Sequence, residues 1–331
     1  MSNVKKGGAM YRGLRSFLFL LAGVVCAGMV AGNAYGKSTV LGFVQVGAEG
    51  TWRLTNTRSV KESAEKAGFN LVFKEGSTNF SNQIEEMREL ILTGVDVLAF
   101  SPSQVDGWDE ILQEAQDAGI PVIVLDRAIE VSDPDLYVTH IGSDMLDEGR
   151  RAGKWLLNYM KSQGKTGEVS VAVLEGVAGS TPAVHRDQGF REVLSADSNY
   201  KIVATKPADF SFAKGKEVMA EFLKKTGGNI DVVFAHNDDM ALGAIEAIEE
   251  SGKVPGKDVV IIGVDAIKKA FEAIIAGKMN ATIECSPLLG PQLVDAVNDL
   301  VAGKPVDKRI VTIEKDYDQT NAAAELKNRT Y

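Results

Sequence analysis

The sequence predicts an α/β fold of two similar doubly wound parallel-sheet domains, and three observations carry that expectation. Short apolar runs rich in β-branched residues begin near 39, 69, 95 and 120, roughly one every 25 to 30 residues. The segments between them have helical length and close on glycine, at Gly68, Gly94 and Gly119, where a left-handed residue meets no steric penalty. The alternation then begins again after residue 144. Strand–helix alternation at this spacing implies right-handed βαβ units and a parallel sheet with helices on both faces.

In chain order, "TVLGFVQV" (39–46) reads as a strand, 52–68 as a helix and "FNLVFK" (69–74) as a strand. A helix from Asn79 to Gly94 precedes the strand "VDVLAF", and another closes at Gly119. Val122 to Leu125 is too short and too β-branched for a helix and reads as a strand buried on both faces. Residues 138–144 read as an extended crossover. Four further strands follow in "EVSVAVLEG", "YKIVAT", "IDVVFAHND" and "DVVIIGVDA", separated by helical segments near 181–195, 212–225 and 239–251. Eight such units could close into one barrel. The crossover, with no helix before it, favours two sheets with a ligand between their strand ends.

The N-terminus stands apart. Lys5, Lys6, Arg12 and Arg15 precede "FLFLLAGVVCAGMVAG", and small residues follow at Ala34 and Gly36. This is the pattern of a secretory signal peptide, residues 1–36, cleaved near Gly36. The apolar run falls short of the ~20 residues a spanning helix needs. Cys26 lies in that run, but Val24 and Val25 stand where a lipoprotein signal would want small residues. The composition of the full 331-residue chain, 45% apolar and 24% charged, is that of an ordinary globular protein of about two domains. Cleavage removes four of the 36 bases and none of the 45 acids, leaving 32 against 45 and a net charge of −13. No basic stripe remains to meet phosphate, so nucleic acid is a poor partner. Cys285 alone survives cleavage, so an exported chain would have no internal disulfide.

In open α/β sheets, ligands bind beyond the carboxyl ends of the strands. Polar residues gather there repeatedly: Asp126 and Arg127 after "VIVL", Asn237, Asp238 and Asp239 after "VVFAH", Asp265 in "IIGVDA", and Arg186 on the helix after Glu175. One such residue alone reads as a helix N-cap, and Asp238 or Asp239 is expected to be one. Strands of both sheets ending alike favour a shared site. Carboxylate, amide and guanidinium each make paired hydrogen bonds and suit adjacent hydroxyls. "GVAGST" (176–181) matches no phosphate-loop pattern and reads as a turn into a capped helix. Trp52 and Phe210 fall beside the polar strand ends, where aromatic faces could stack on a sugar ring.

This constellation resembles the type I periplasmic sugar-binding proteins of ABC transporters, the group that includes ribose- and galactofuranose-binding proteins. The segments that carry the likeness are "IPVIVLDR", "LEGVAGSTPAVHRDQGF", "PADFSFAKGKEVM", "VFAHNDDMALGAIEAI" and "IGVDA", in that order over 38–320. "QVGAEGTWR" and "HNDDM" look most similar to the galactofuranose-binding branch. The resemblance implies that Asp126, Arg127, Arg186, Asn237 and Asp265 hydrogen-bond the sugar, with Trp52, Arg53 and Phe210 as walls. It also implies discontinuous domains, 38–142 with 286–314 and 143–285 with 315–331, joined by a three-strand hinge that crosses again near Cys285 and Glu314. Ribose binders carry an aromatic pair where this chain has Trp52–Arg53 and a glutamine at Cys285, which argues against ribose. The partners implied are a small-molecule sugar and a membrane ABC permease, with a chemoreceptor or sensor kinase as the alternative. A periplasmic monomer without cofactor is expected.

Other functions fare worse. No nucleophile elbow or zinc-protease helix occurs, and His140, His185 and His236 lack metal spacing, so neither catalysis nor a metal is expected. Two carboxylates across a cleft could serve a glycosidase. With Arg127 beside it, however, Asp126 is expected to stay ionised and to be a poor general acid. A sugar-responsive repressor would need a helix-turn-helix where the signal peptide stands.

Overall fold

The computed structural model describes residues 38–47, 50–76 and 79–331. The expected export signal lies outside the described residues. The first sheet is built by β1 (Val40–Gln45), α1 (Thr51–Lys66), β2 (Asn70–Glu75), α2 (Phe80–Thr93), β3 (Val97–Phe100), α3 (Asp109–Asp117), β4 (Val122–Leu125) and β5 (Thr139–Gly142). The extended crossover expected at 138–144 is therefore largely β5, paired in parallel with β4 before the chain leaves the sheet.

The second unit follows with α4 (Met145–Ser162), β6 (Val169–Glu175), α5 (Thr181–Leu194), β7 (Tyr200–Pro207), α6 (Phe212–Lys225), β8 (Val232–Ala235) and α7 (Asp238–Glu250). It continues through β9 (Val260–Asp265), α8 (Lys268–Ile275) and β10 (Ala281–Glu284). The chain then returns to the first unit with α9 (Gly290–Val301) and β11 (Arg309–Val311), and ends on the second with β12 (Asp316–Asp318) and α10 (Ala322–Glu325). Sequence patterning passed over α4, α8 and α9. For α4 the signal was present: Asp144 caps it, accepting from Asp147 N at 3.0 Å, and Asp147 and Glu148 lie in the first turn.

The sheet orders are β11-β5-β4-β3-β1-β2 and β12-β10-β9-β8-β6-β7. Apart from β12, antiparallel to β10, all pairs are parallel. Both sheets therefore reverse direction after their first strand, giving switch points at β1/β3 and β6/β8 where a cleft opens beyond the strand ends. The chain crosses between sheets three times, after β5, after β10 and after β11.

Period-two alternation within the buried strands feeds two layers. Val97 and Ala99 face the layer holding Val60 of α1 and Leu293 of α9, whereas Leu98 and Phe100 face Met87 of α2 and Ile111 of α3. The glycines that close the early helices take left-handed backbone as expected, with φ of 74° at Gly68, 71° at Gly94 and 71° at Gly119.

Other glycines let helices touch backbone to backbone. A Cβ on Gly149 of α4 would stand 2.2 Å from the Arg186 carbonyl of α5, and one on Gly189 of α5 would stand 2.2 Å from the Leu146 carbonyl of α4. This contact presents Arg186 to α4. Gly149→Ala should accordingly destabilise the protein by ~1–3 kcal/mol, because the obstructing atoms are backbone. Urea unfolding would read this as a lower midpoint at unchanged slope; an unchanged midpoint would mean that the two helices part without cost.

Candidate functional site

A cavity of about 380 Å³, its mouth included, lies between the strand ends of the two sheets. Its lining includes Trp52, Arg53, Asp126, Arg127, Arg186, Phe210, Asn237 and Asp265, together with Gly50, Pro182 and Cys285. The structure thus brings all eight residues singled out from the sequence around one space. Five of them are charged (Arg53, Asp126, Arg127, Arg186 and Asp265), and none is more than 5% exposed. Charges so buried must be paired and hydrogen-bonded.

On the first sheet's side, the pairing differs from the sequence expectation. The ion partner of Asp126 is Arg53, with Nη2 at 2.6 Å from Oδ2, and not the adjacent Arg127. Arg53 Nη1 donates to Gln45 Oε1 at 3.2 Å, and the guanidinium stacks over Trp52 at 4.7 Å. Trp52 in turn donates its indole N–H to the Cys285 carbonyl at 2.7 Å, which ties the aromatic wall to the second crossing. Arg127 reaches the opposite side, where its guanidinium lies 5.9 Å from the Phe210 ring. Local sequence adjacency misled here because Asp126 has φ of 68°, which turns consecutive side chains apart. That left-handed backbone is held by a hydrogen bond from Asp126 N to Ile141 O at 2.8 Å. His140 Nε2 lies 2.8 Å from the Asp126 carbonyl, and Gly142 admits the carbonyl where a Cβ would come within 2.8 Å.

On the second sheet's side, Arg186 donates through Nε to Glu148 at 2.7 Å and through Nη1 to the His236 carbonyl at 2.6 Å. Nη2 is the donor left for a guest. Asp265 sits at φ of 120°, and burial pushes its carboxyl well above the ordinary carboxylate range, opposed by Arg186. Asp126, Phe210 (φ of 57°) and Asp265 all hold left-handed backbone, and such strain in non-glycine residues concentrates at functional sites.

The cap of α7 is neither Asp238 nor Asp239. Asn237 caps it, accepting from Met240 N at 3.0 Å, while its amide donates to the Phe210 carbonyl at 3.2 Å. Asp238 is fully buried, accepts from Thr282 Oγ1 and Ile267 N, and is pushed by burial up to about 8. Asp239 crosses the cleft to Thr51, accepting from its N at 2.9 Å and its Oγ1 at 3.1 Å. Ala128 N donates across the same gap to Thr181 Oγ1 at 3.2 Å, so the rims are closed on each other.

Sequence reasoning missed Gln45, Glu148 and Gly176. Gln45 ends β1 and obeys the same strand-end rule as Asp126. Glu148 lies in a helix the patterning passed over. Glu148, Cys285 and Glu314 are the described residues whose ligand-type atoms cluster within 4.8 Å. However, Arg186 occupies one Glu148 oxygen, and three donors crowd one Glu314 oxygen, so the set is not arranged for a metal.

Gly176, in the stretch "GVAGST", faces the Phe210 ring: a Cβ there would fall 1.9 Å from ring carbon Cζ. Gly176→Ala should evict that ring and reshape the cavity wall while sparing both sheets. We expect at least tenfold weaker ligand binding with a melting temperature close to the parent's; retained affinity would show that the Phe210 ring is not a required wall.

The sequence matches the periplasmic binding protein domain over residues 41–305. It is 38% identical over 280 residues to the galactofuranose-binding protein YtfQ of Escherichia coli, covering 84% of this chain and 86% of that one. Among solved structures, a Mycobacterium smegmatis protein in complex with β-D-fucofuranose is 50% identical with a TM-score of 0.85, covering 89% of this chain and 96% of that one. The binding component of the arabinose ABC transporter of Shewanella sp. ANA-3, bound to α- and β-L-arabinofuranose, is 41% identical with a TM-score of 0.84, covering 88% and 96%. On its sequence and its pair of switch-point sheets, the chain belongs to the periplasmic binding proteins.

Proposed function

We propose that this protein captures a monosaccharide in its five-membered-ring form, galactofuranose or a close relative, and delivers it to an ABC permease in the membrane. The observation that carries the reading is the convergence of ion-paired carboxylate, guanidinium and amide groups from both switch points, with Trp52 and Phe210 as walls. A site of paired donors and acceptors suits adjacent ring hydroxyls. The furanose ligands of the two solved relatives support the ring form. Capture works by hinge closure: Asp126 and Arg127 stand on one sheet, Arg186, Asn237 and Asp265 on the other, and only closing completes the set. The domains divide at 142/143, 285/286 and 314/315, so the hinge is the three crossings. The protein acts in the periplasm as a monomer and binds without catalysis.

Titration calorimetry with galactofuranose, fucofuranose, arabinose and ribose tests this reading. A hexofuranose should bind tightest and ribose weakly; ribose as best ligand would overturn the furanose assignment, and sugar hydrolysis on long incubation would replace binding with catalysis. Asp126→Ala removes a charge-assisted acceptor worth ~1.5–3 kcal/mol and leaves Arg53 buried without its carboxylate, so affinity should fall at least tenfold. Unchanged affinity would mean that Asp126 serves the fold alone.

Small-angle scattering checks the motion. The radius of gyration should shrink on saturation with the tightest sugar, and an identical profile with ligand bound would exclude hinge closure.

A further inference from the structure

At the base of the cleft, one carboxyl gathers all three crossings. Glu314 Oε1 accepts from Ser143 Oγ of the first crossing at 2.5 Å, from Ser286 N of the second at 2.8 Å and from Thr312 Oγ1 of the third at 2.7 Å. One oxygen of Glu314, one of Glu148 and Cys285 Sγ lie within 4.8 Å of one another. Cys285 lines the cavity, and Ser143 Oγ lies 3.3 Å from its sulfur. Glu148 gives Oε2 to Arg186, while its Oε1 is buried with no hydrogen-bond partner. A continuous run of contacts therefore leads from the cavity, through Cys285 and Ser143, to the carboxyl on which the hinge segments meet.

We infer that Glu314, held behind the Arg186–Glu148 ion pair, takes up a proton when the lobes close, linking proton binding to sugar binding. This rests on the sugar-binding reading above. The Glu314 and Glu148 side chains are 4% and 0% exposed, and a neighbouring carboxylate in a dry interior disfavours ionisation of Glu314. The cations nearby are committed away from Glu314. Arg186 serves Glu148, and Arg151 of α4 reaches Glu314 only at 3.9 Å while its Nε donates to Asp316 at 2.8 Å. Arg309 of β11 donates to the Ser143 carbonyl at 2.7 Å. Asp265, its own carboxyl pushed up by burial, also faces Cys285 from across the cavity. Burial, then Glu148, pushes the Glu314 carboxyl up to about 7 in this closed form.

Opening the cleft admits water to Cys285 and the carboxyls behind it, which relieves that burial and returns Glu314 toward its ordinary value. A carboxyl whose affinity for protons is higher in the closed form favours closure at low pH. The advantage is lost as pH rises through the closed-form value of about 7.

Calorimetric titration of the full chain with its tightest sugar, in two buffers of different ionisation enthalpy, reads the proton directly. At about pH 6 the apparent enthalpy should differ between buffers by the uptake of up to one proton, and the difference should vanish above about pH 8.5. Affinity should fall by about tenfold in all between those limits and then level. Glu314→Gln should bind sugar with buffer-independent enthalpy and a flat pH profile. Identical wild-type enthalpies in both buffers, with sugar bound, would overturn the proton link and leave the sugar site standing. Exchange that persists in Glu314→Gln would overturn it as well, and if that variant does not fold, the wild-type comparison decides alone.

Discussion

The ion pair between Arg186 and Glu148 is made almost wholly out of water, and much of the second sheet's side of the cleft follows from it. A guanidinium at 3% exposure is tolerable only if its donors are met. Glu148 and the His236 carbonyl meet two of them, which requires α4 to lie against α5 at backbone distance. Gly149 and Gly189 make that approach possible. The pair fixes the plane of the guanidinium, so its remaining nitrogen is held in place with little side-chain entropy left to lose.

The first sheet's side answers with a different construction. Arg53 and Asp126 are paired inside the cavity wall rather than behind it, braced by Gln45 and backed by the Trp52 ring. Asp126 reaches that position by left-handed backbone, held from β5 by the Ile141 carbonyl. One side thus locks a cation from behind and the other locks an anion from the side, so a guest meets rigid donors and rigid acceptors. Closing the rims through Thr51–Asp239 and Ala128–Thr181 dries the space, where each hydrogen bond counts for more than in water.

The same dryness acts on the groups behind the cavity. Cys285, Glu148 and Glu314 are held where water is scarce, so burial pushes the Cys285 thiol and the Glu314 carboxyl up. The three crossings are therefore more than lengths of chain, because their segments meet on one buried carboxyl oxygen.

How much of this was legible beforehand follows from the range of the forces involved. The alternation of buried runs and glycine-closed helices is local, and it was enough for two parallel-sheet units and the left-handed glycines at 68, 94 and 119. The rule that ligands meet strand ends was enough to select Asp126, Arg127, Asn237 and Asp265, with Trp52, Arg186 and Phe210 beside them, because strand ends are visible as the places where β-branched runs stop; Arg53 came only from the family resemblance. Who pairs with whom was not visible. Arg127 adjoins Asp126 in the chain, yet Arg53, 73 residues away, takes the carboxylate. Asp239, in a run of polar residues that invited a cap assignment, instead spans the cleft. Glu148 and Glu314 carry no local pattern that sets them apart from solvent-facing acids. Their roles come from desolvation and from contacts between segments far apart in sequence, and those exist only once both sheets are folded and the cleft is closed.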